Sequence, residues 1–305
     1  MTKVAIIIIN WNKPNMTVDT VNSVLQINHK NFNYQIFLVD NGSSDNSVSI
    51  FQQEFTSNPK IKIISNSTNL GFVGGNNTVI KQILKLDFSH ILLLNNDVIV
   101  DPDFLNQLVK NTSKYSLLGP KIYFAPGYEY HHDRYTKKER GKVIWFAGGQ
   151  IDWNNIYGSH IGVDDVDQGQ YDQINNKVDF LTGCCLLVQK EVFEKIGFLD
   201  EKFFMYLEDA DFCQRAKKNG FNLAYIPKSK IWHINSGSSK TGGDLQNYFL
   251  TRNRLLFGFR YAKFKTKLAL IKESFLQLVN PSINKWQKIA IKDFYLQKFN
   301  KGSWQ

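Results

Sequence analysis

The chain has few cysteines and no long apolar run. Three cysteines among 305 residues, with no Cys-x-x-Cys pair, fit a reducing compartment and are expected to be plain core residues. The longest apolar runs, such as residues 4–9, are about six residues, whereas a membrane span needs roughly 20. The first run is also too short for a signal-peptide core, and no small-residue cleavage site follows it. We therefore expect a cytoplasmic protein.

Two common nucleotide-binding fingerprints are absent as well. The chain reads Asn10-Trp11-Asn12-Lys13-Pro14 after its first apolar run, where a dinucleotide-binding protein would carry Gly-x-Gly-x-x-Gly. The phosphate-binding pattern of P-loop proteins, in which a glycine precedes Lys and Ser or Thr, does not occur. These absences disfavour NAD-dependent enzymes and P-loop nucleotide hydrolases.

Excess positive charge is confined to one end of the chain. The formal net charge is +10, and residues 252–305 alone contain twelve Lys and Arg against two Asp and Glu. The remaining residues therefore balance to zero. A neutral body joined to a basic tail indicates two parts, which we place at residues 1–244 and at residues 245–305, the latter a helical extension.

The first half of the body alternates strand-like and helix-like segments. Strands are predicted at residues 4–9, 34–39, 61–64 and 91–94, and helices at residues 16–25, 44–55 (capped by Ser44 or Asp45) and 77–86. Short apolar strands that alternate with helices indicate a mostly parallel sheet covered on both faces. Ligands of such sheets bind beyond the carboxyl ends of the strands.

Polar residues follow all four predicted strands. The segments are Asn10-Trp11-Asn12, Asp40-Asn41-Gly42-Ser43, a loop with Asn66, Asn69 and the glycine-rich residues 71–76, and Asn95-Asn96-Asp97. Any one of them alone is explained as a turn, because Asn, Asp and Gly favour turns. Four on one rim of a sheet predict a ligand cleft.

The second half carries a cluster of acids. A helix is predicted to begin at Glu208-Asp209-Ala210-Asp211 and to end at Asn219-Gly220. One acid is enough to favour a helix N-terminus. Three carboxylates in four residues repel one another unless a cation, a proton donor or Arg215 offsets them, so the cluster is a candidate site.

The segments around this helix are less regular. Residues 120–177 are predicted to be an irregular, substrate-facing excursion, and residues 178–188 to be a strand interrupted at Thr182-Gly183. A further strand is predicted to end at His233, with a flexible Ser/Gly loop after it.

In this order and spacing, these segments resemble family 2 glycosyltransferases of the GT-A fold, particularly bacterial rhamnosyltransferase-like members. The matching pieces, between residues 3 and 255, are VAIIIINWN, FLVDNGSSD, NLGFVGGNN, LLLNNDVIV, FLTGCCLLVQKEVFEKIGFLDEKFFMYLEDADFCQRAKKNG and IWHINSGSS. The resemblance implies an α/β nucleotide-diphospho-sugar transferase fold, with a mostly parallel central sheet flanked by helices and a C-terminal helical extension. Residues 1–119 would form the nucleotide-binding half, and residues 120–244 the acceptor-side half.

The resemblance implies a divalent metal ion, Mn²⁺ or Mg²⁺, held by Asp97 and His233. Asn95-Asn96-Asp97 takes the place of the family's Asp-x-Asp-type motif, and Asp97 is its only carboxylate. Diphosphate oxygens and water would supply the remaining ligands. His233 matches the family's late metal-proximal histidine, which suits Mn²⁺ better than Mg²⁺.

The resemblance also implies contacts to a UDP- or dTDP-sugar. Trp11 would lie on the pyrimidine ring, unless it is an ordinary boundary tryptophan, and Asp40 would accept the N3–H of uracil or thymine. Asn96 would reach the ribose or the sugar. Arg252 would contact the diphosphate, unless it only belongs to the basic tail. The other implied donor contacts are Asn10, Asn41, Gly71, Gly75 and Asn76, with Asn77 as the alternative to Asn76.

Asp209 resembles the family's catalytic base. It would take the proton of an acceptor hydroxyl that attacks the anomeric carbon with inversion. Glu208, Asp211, Thr182 and Gly183 would orient the acceptor or support the base. The Gln-x-x-Arg-Trp element of processive members is absent. We therefore expect transfer of one rhamnose-like or hexose unit to a glycan or lipid-linked glycan, in cell-surface polysaccharide synthesis.

Two other functions stay open. A nucleotide-sugar- or glycan-binding protein without catalysis would explain the amides in the metal motif, although the Glu208-Asp209 pair and His233 argue against lost activity. A nucleotidyltransferase shares the α/β topology but usually carries a basic Gly-rich loop near its N-terminus, where only Lys13 lies close to the first strand.

The basic tail has three explanations. Lysines interleaved with aromatic and aliphatic side chains fit helices at an anionic membrane surface, here the inner face of the plasma membrane. The same helices would otherwise pack on the body or form a homodimer. Nucleic-acid binders also mix basic and aromatic residues, but nothing in the neutral body supports nucleic acid as a partner.

Overall fold

The computed structural model describes residues 1–234 and 242–304. The Ser/Gly loop predicted after His233, within residues 235–239, lies outside these ranges. The strands are β1 (Thr2–Asn10), β2 (Phe32–Asn41), β3 (Ile61–Asn66), β4 (His90–Asn95), β5 (Val98–Val100), β6 (Leu117–Phe124), β7 (Ile144–Phe146), β8 (Gly149–Asp152), β9 (Tyr157–His160), β10 (Cys185–Gln189) and β11 (Leu223–His233). The helices are α1 (Pro14–Leu25), α2 (Ser47–Phe55), α3 (Gly71–Ile83), α4 (Phe104–Val109), α5 (Lys190–Ile196), α6 (Glu208–Lys218), α7 (Asp244–Tyr261), α8 (Phe264–Val279) and α9 (Lys285–Tyr295).

In the described residues, nine strands form one mixed sheet in the order β3-β2-β1-β4-β10-β6-β11-β5, with β7 paired to β6. The first four run parallel. β10 is antiparallel to both of its neighbours, and β11 is parallel to β6. β8 and β9 form a separate hairpin. Residues 4–8 of β1 are completely buried, as expected of a central strand covered on both faces.

The predicted polar rim is confirmed by the register of the parallel strands. Asn10 at the end of β1 pairs with Asp40 at the end of β2, and Asn41 pairs with Asn66 at the end of β3. On the other side of β1, Ile9 pairs with Asn95 at the end of β4. The polar segments at the ends of these four strands therefore lie together at one edge of the sheet.

The glycine-rich residues 71–76 are not a loop but the first turns of α3, so the prediction there was wrong. Their glycines serve close packing. A Cβ on Gly71, which has φ +70°, would lie 2.6 Å from the Phe204 ring, and one on Gly75 would lie 3.1 Å from Ile9. Tertiary packing of this helix against β1 outweighs the low intrinsic helix propensity of glycine.

Three other segments differ from the prediction. Helix α2 begins at Ser47 rather than residue 44, because the Asp45 carboxylate accepts the Ser47 N–H in a turn that precedes the helix. Only Cys185–Gln189 of the strand predicted at residues 178–188 is extended, since Thr182-Gly183 turn toward α6. The segment predicted as irregular contains most of β6 and all of β7, β8 and β9.

Helices α7, α8 and α9 pack against the body and against one another. Arg260 of α7 donates to Asp211 of α6 at 2.6 Å, and Arg254 donates to Glu273 of α8 at 2.8 Å. Tyr248 of α7 donates to Asp293 of α9. Among the described residues, no helix combines the length and the apolar character that crossing a bilayer requires. The division of the body near residue 119 stays a prediction, and β6 runs across it.

Candidate active site

One pocket of about 470 Å³ joins the carboxyl end of β4, the carboxyl end of β11 and the N-terminus of α6. It brings together six residues from four separate parts of the sequence: Asp97, Thr182, Gly183, Glu208, Asp209 and His233. Sequence reasoning missed most of its walls, which include Phe72, Tyr130, Trp145, His160, Phe180, Met205, Tyr206 and Leu250. Phe72 and Leu250 come from helices α3 and α7, and the others come from loops and short strands with no periodic pattern to mark them.

The carboxylate of Asp209 is held by the backbone at the start of α6. The Gly183 N–H donates to its Oδ2 at 2.9 Å, and the Ala210 N–H donates to its Oδ1 at 2.7 Å. Position 183 has little room for a side chain, because a Cβ there would lie 3.0 Å from the Phe72 ring. The absence of a side chain at position 183 therefore lets the turn before β10 come close to the carboxylate.

Glu208, which is buried, and Asp209, which is half-buried, form a pair of unlike carboxyl groups. Burial raises the pKa of Asp209, while the N–H groups of Gly183 and Ala210 and a bond from Thr182 favour its ionised form. Burial and the neighbouring Asp209 raise the pKa of Glu208 well above its ordinary value. Among the described residues, Glu208 Oε2 has no hydrogen-bond partner. Of the two carboxyl groups, Glu208 therefore favours its protonated form more strongly than Asp209 does.

We expect Glu208→Gln to unfold at a higher temperature than the wild type at pH 8, and this gain to vanish near pH 4. A carboxyl whose pKa is raised in the folded state costs no stability below its unfolded pKa. The cost grows as pH rises above that value, at about 1.4 kcal/mol per unit of pKa difference. Glutamine keeps the shape and does not ionise. Thermal unfolding of both proteins from pH 4 to pH 9 measures the difference, and equal melting temperatures throughout would contradict the neutral form of Glu208.

Asp97 and His233 face each other in the same pocket. His233 Nε2 lies 3.2 Å from Asp97 Oδ1, and the Ile234 N–H donates to the Asp97 backbone oxygen at 2.7 Å, which ties the end of β11 to the turn after β4. Within residues 1–234 and 242–304, neither Asp97 Oδ1 nor His233 Nδ1 has a hydrogen-bond partner, although both atoms are buried. Buried polar atoms without partners are costly, and a metal ion at Asp97 would satisfy its carboxylate oxygen.

The donor set fits a divalent cation that also binds a ligand. A carboxylate oxygen and an imidazole nitrogen suit Mn²⁺, with Mg²⁺ as a second candidate. The described part of the chain contains no group of three or more His, Cys, Asp or Glu that could enclose a metal on its own. An ion at Asp97 and His233 would therefore take the rest of its ligands from a bound phosphate and from water.

Trp145 of β7 lies between two histidines of this wall. Its ring is 4.6 Å from the His233 ring and 4.4 Å from the His160 ring, measured between centroids. Burial lowers the pKa of His160 to about 4, so its imidazole is neutral at pH 7. His160 Nδ1 donates to the Trp145 backbone carbonyl at 3.0 Å, which orients the imidazole ring. Neither residue carried a signal in the sequence, because this segment was predicted to be irregular.

A hydrogen-bond network connects the ends of β1, β2 and β4. Asn10, completely buried, donates to Asp40 Oδ1 at 3.0 Å and accepts from the Thr17 hydroxyl at 2.8 Å. Asn96 donates to the same Thr17 hydroxyl at 2.8 Å. The Ser43 N–H donates to the other Asp40 oxygen at 3.0 Å. Sequence reasoning missed Thr17 and noted Ser43 only as part of the polar segment after β2; these two residues set the orientation of Asp40 and Asn96.

A second network holds the segment that leads into α3. Asn41, 2% exposed, donates to Asn69 and to the Gly71 carbonyl, and accepts from Asn66. Asn69 in turn accepts the Gly71 N–H at 2.8 Å. Asn41 therefore positions the backbone at this rim rather than presenting a free amide.

Several predicted donor contacts have other partners. Asn76 is buried and donates to the Phe72 carbonyl within α3. Asn77 is bonded to the backbone of Leu199, through both its amide nitrogen and its oxygen. Trp11, by contrast, is 48% exposed just beyond β1, so its ring is accessible to a ligand.

Arg252 and Asp211 lie outside the pocket. Arg252 is completely buried in α7 and donates to the carbonyls of Lys202 and Phe203, so its predicted contact to a diphosphate does not fit this placement. Asp211 accepts from Arg215, from Arg260 and from the Tyr261 hydroxyl, which fixes α6 against α7. Both side chains thus stabilise elements around the pocket without lining it.

Residues 2–258 match the family described as glycosyltransferase-like family 2. A hexosyltransferase of low-salt glycan biosynthesis, Agl10 of Haloferax volcanii, is 28% identical over 70% of this chain and 64% of its own length. The N-acetylglucosaminyl-diphospho-decaprenol L-rhamnosyltransferase of Mycobacterium tuberculosis is 26% identical over 73% of each chain. The chain thus spans slightly less than two thirds of the first of these relatives.

A solved structure, GalNAc-T7 with UDP, GalNAc and Mn²⁺, is similar in fold. Its TM-score is 0.66 at 15% identity, over 97% of this chain and 55% of that one. The predicted GT-A fold, a mixed α/β structure with a central sheet and C-terminal helices, is confirmed.

Proposed function

This chain belongs to the glycosyltransferase-like family 2, and we propose that it is an inverting enzyme that transfers one sugar from a UDP- or dTDP-sugar to a hydroxyl of a glycan or lipid-linked glycan. The observation that carries the proposal is the pocket itself. It places an anchored carboxylate, Asp209, in one cavity with the Asp97–His233 pair. A base and a diphosphate-binding pair in one cavity fit group transfer better than binding alone.

The reaction follows from the protonation states of the acidic pair. Asp209 takes the proton of the acceptor hydroxyl while the hydroxyl oxygen forms its bond to the anomeric carbon. The bond from that carbon to the diphosphate breaks on the opposite face, and the nucleoside diphosphate leaves with the electron pair. Asp209, held by two N–H groups, cannot swing away from the hydroxyl, and neutral Glu208 adds no second negative charge beside it.

Donor binding is proposed for the rim built by β1, β2 and β4. Asp40 would accept the N3–H of the pyrimidine, with its carboxylate oriented by Asn10 and Ser43. Trp11 would cover the base, and Asn96 would reach the ribose or sugar. Asp97 and His233 would hold a divalent cation, Mn²⁺ in preference to Mg²⁺, which would neutralise the charge of the departing diphosphate. GalNAc-T7 holds UDP and Mn²⁺ in a similar fold.

The acceptor is proposed to enter past the aromatic and aliphatic wall. Tyr130 and Leu250 are 46% and 37% exposed where they line the pocket, and exposed apolar side chains beside a cleft suit an amphiphilic ligand. The mycobacterial relative is named for a lipid-diphosphate-linked acceptor. A glycan carried on a lipid diphosphate is therefore the acceptor class that we propose.

Released products separate this proposal from the two alternatives. Purified protein is first screened against a panel of nucleotide sugars by thermal shift, with and without Mn²⁺. The stabilising donor is then incubated with candidate acceptors. Free UDP or dTDP that appears only with an acceptor supports transfer. Release of pyrophosphate would indicate a nucleotidyltransferase, and a thermal shift without any product would indicate a binding protein.

We also propose that α8 attaches the enzyme to an anionic membrane surface. Four large apolar side chains of this helix recur at positions 264, 268, 275 and 279, which places them on one face. They are 74%, 50%, 55% and 79% exposed in that order. Exposed lysines at positions 263, 265 and 272, with Lys267, flank this face. Lysine near an anionic surface gains about 1 kcal/mol, screened over about 8 Å.

Co-sedimentation with phosphatidylglycerol-containing liposomes tests this attachment. We expect the wild type to bind at low salt and to be released at high salt. Changing Lys263, Lys265, Lys267 and Lys272 together to Glu should abolish binding, whereas the same change at lysines 285, 288, 292 and 298 should reduce it less. Absence of wild-type binding, together with a dimer in sedimentation velocity, would instead make this face a contact between two copies.

A further inference from the structure

The segment that leads into the catalytic helix has an unusual backbone. Phe204, Tyr206 and Leu207 all adopt left-handed conformations, with φ of +62°, +67° and +66°. Residues with a Cβ rarely adopt this conformation. Such backbone persists only where surrounding contacts hold it, and it concentrates at functional sites. Here it lies directly before Glu208 and Asp209.

Two buried side chains of α7 supply those contacts. Asn253 donates through its amide nitrogen to the carbonyls of Phe203 (2.9 Å), Met205 (2.7 Å) and Tyr206 (2.9 Å). Arg252 donates to the carbonyls of Lys202 and Phe203, each at 3.2 Å. Neither side chain has any exposed surface. Together they donate hydrogen bonds to the backbone carbonyls of residues 202, 203, 205 and 206.

Arg252 also fixes the orientation of the Asn253 amide. The Arg252 Nε and Nη2 atoms both donate to Asn253 Oδ1 at 3.1 Å. Because the guanidinium has no acceptor, it selects the amide rotamer in which oxygen faces Arg252 and nitrogen faces the strained carbonyls. The pair therefore acts as one unit, in which loss of either residue weakens the bonds of the other.

The strained segment also contacts helix α3. The Val73 N–H in the first turn of α3 donates to the Phe204 carbonyl at 3.1 Å, and the Phe204 ring stacks on Phe249 of α7 at 5.0 Å. Position 71 is glycine where the Phe204 ring packs against it. One segment, residues 203–207, thus touches α3 and α7 and enters α6.

We propose that Arg252 and Asn253 are positioning residues that set the place of Asp209, and of the Met205, Tyr206 and Leu207 pocket wall, through this segment. The proposal rests on the function proposed above. Neither residue touches the pocket. Their effect passes through backbone carbonyls, so it falls on the alignment of the base with the acceptor and not on the nucleotide, which is bound at the ends of β1 and β2.

The decisive variant is Asn253→Leu, which has a similar size and no donor. We expect kcat for sugar transfer to fall about 10- to 100-fold, as a misplacement of the base near 1 Å would cause, with the Kd for the nucleotide unchanged. Arg252→Met should behave similarly. Arg252→Lys should lose less of its kcat, because the lysine ammonium group can still donate hydrogen bonds. The matched control is Arg254→Gln on the same helix, whose guanidinium bonds to Glu273 and to the Asn155 carbonyl. It should lower the melting temperature and leave kcat intact.

Hydrogen exchange gives a readout that needs no activity. Peptides that cover residues 203–211 should exchange faster in Asn253→Leu than in Arg254→Gln, at temperatures where both remain folded. A wild-type kcat in Asn253→Leu, or unchanged exchange in those peptides, would overturn the positioning role. A wild type that transfers no sugar from any donor would instead overturn the proposed function, and the exchange result would still decide whether Arg252 and Asn253 hold the segment.

Discussion

Asp209→Asn is expected to lose sugar transfer by about 10²–10⁴-fold, the usual contribution of a general base, and to keep its affinity for the nucleotide. Asparagine has the shape of aspartate and keeps one of the two bonds that anchor the carboxylate, because Gly183 and Ala210 donate to different oxygens and the amide has a single acceptor. It cannot take a proton from an acceptor hydroxyl. The loss should therefore appear in kcat. Initial rates with saturating donor and acceptor, together with calorimetry of UDP or dTDP, measure the two effects separately.

The neighbouring acid provides the control for this prediction. Glu208→Gln preserves the neutral form that burial imposes on Glu208, so its loss of activity should be much smaller than that of Asp209→Asn. The wild-type rate should fall as pH drops through the raised pKa of Asp209, since the protonated form is no base. Near-normal turnover by Asp209→Asn would remove Asp209 from the mechanism, and an inactive Glu208→Gln beside it would reverse the two roles.

The parallel half of the sheet could be predicted from the sequence because the patterns that indicate its strands are local. Buried strands with apolar runs of four to six residues, each followed by Asn or Asp, appear at β1, β2 and β4 and share one rim. The start of α3 was not readable in the same way. Gly71, Gly74 and Gly75 favour a turn by their own conformational freedom, and only contacts with Phe204, Ile9 and Asn41 show that they are helical. Those contacts involve residues distant in the chain.

The residues of the site separate in the same way, into those with a signal in the sequence and those whose place depends on tertiary packing. Asp97, Asp209 and His233 were identified because their segments resemble those of family 2 glycosyltransferases, in addition to the polar strand ends and the acid cluster, and the pocket contains all three. For Arg252 the resemblance implied a diphosphate contact, with membership of the basic tail as the alternative, and neither anticipated its buried position. Its burial and its bonds to carbonyls depend on how α7 packs on residues 202–206. Thr17, Trp145 and Asn253 gave no signal, because a lone polar or aromatic residue has many ordinary uses.

Removal of the proposed metal ligand Asp97 should have an effect comparable in size to that of removing the proposed base. Asp97→Asn is expected to weaken Mn²⁺-dependent binding of the nucleotide by at least about 100-fold, since even residues that only orient metal ligands are typically worth about 10–100-fold in metal affinity. Asp97 is the only carboxylate of its motif, and the described residues offer no third acid, cysteine or histidine beside it and His233 to compensate. Chelation of the wild type by EDTA should have the same effect.

Calorimetry of UDP and dTDP, with and without Mn²⁺, tests this expectation, with two variants as references. His233→Gln should also weaken the Mn²⁺-dependent part of binding, because its imidazole lies 3.2 Å from the Asp97 carboxylate. Asp87→Asn should change nothing, since that carboxylate is 90% exposed and pairs only with Lys3 among the described residues. If the wild type binds nucleotide and turns over equally well in EDTA, the charge of the leaving diphosphate is neutralised by Lys or Arg side chains. Asp97 and His233 would then be a structural pair that joins the ends of β4 and β11.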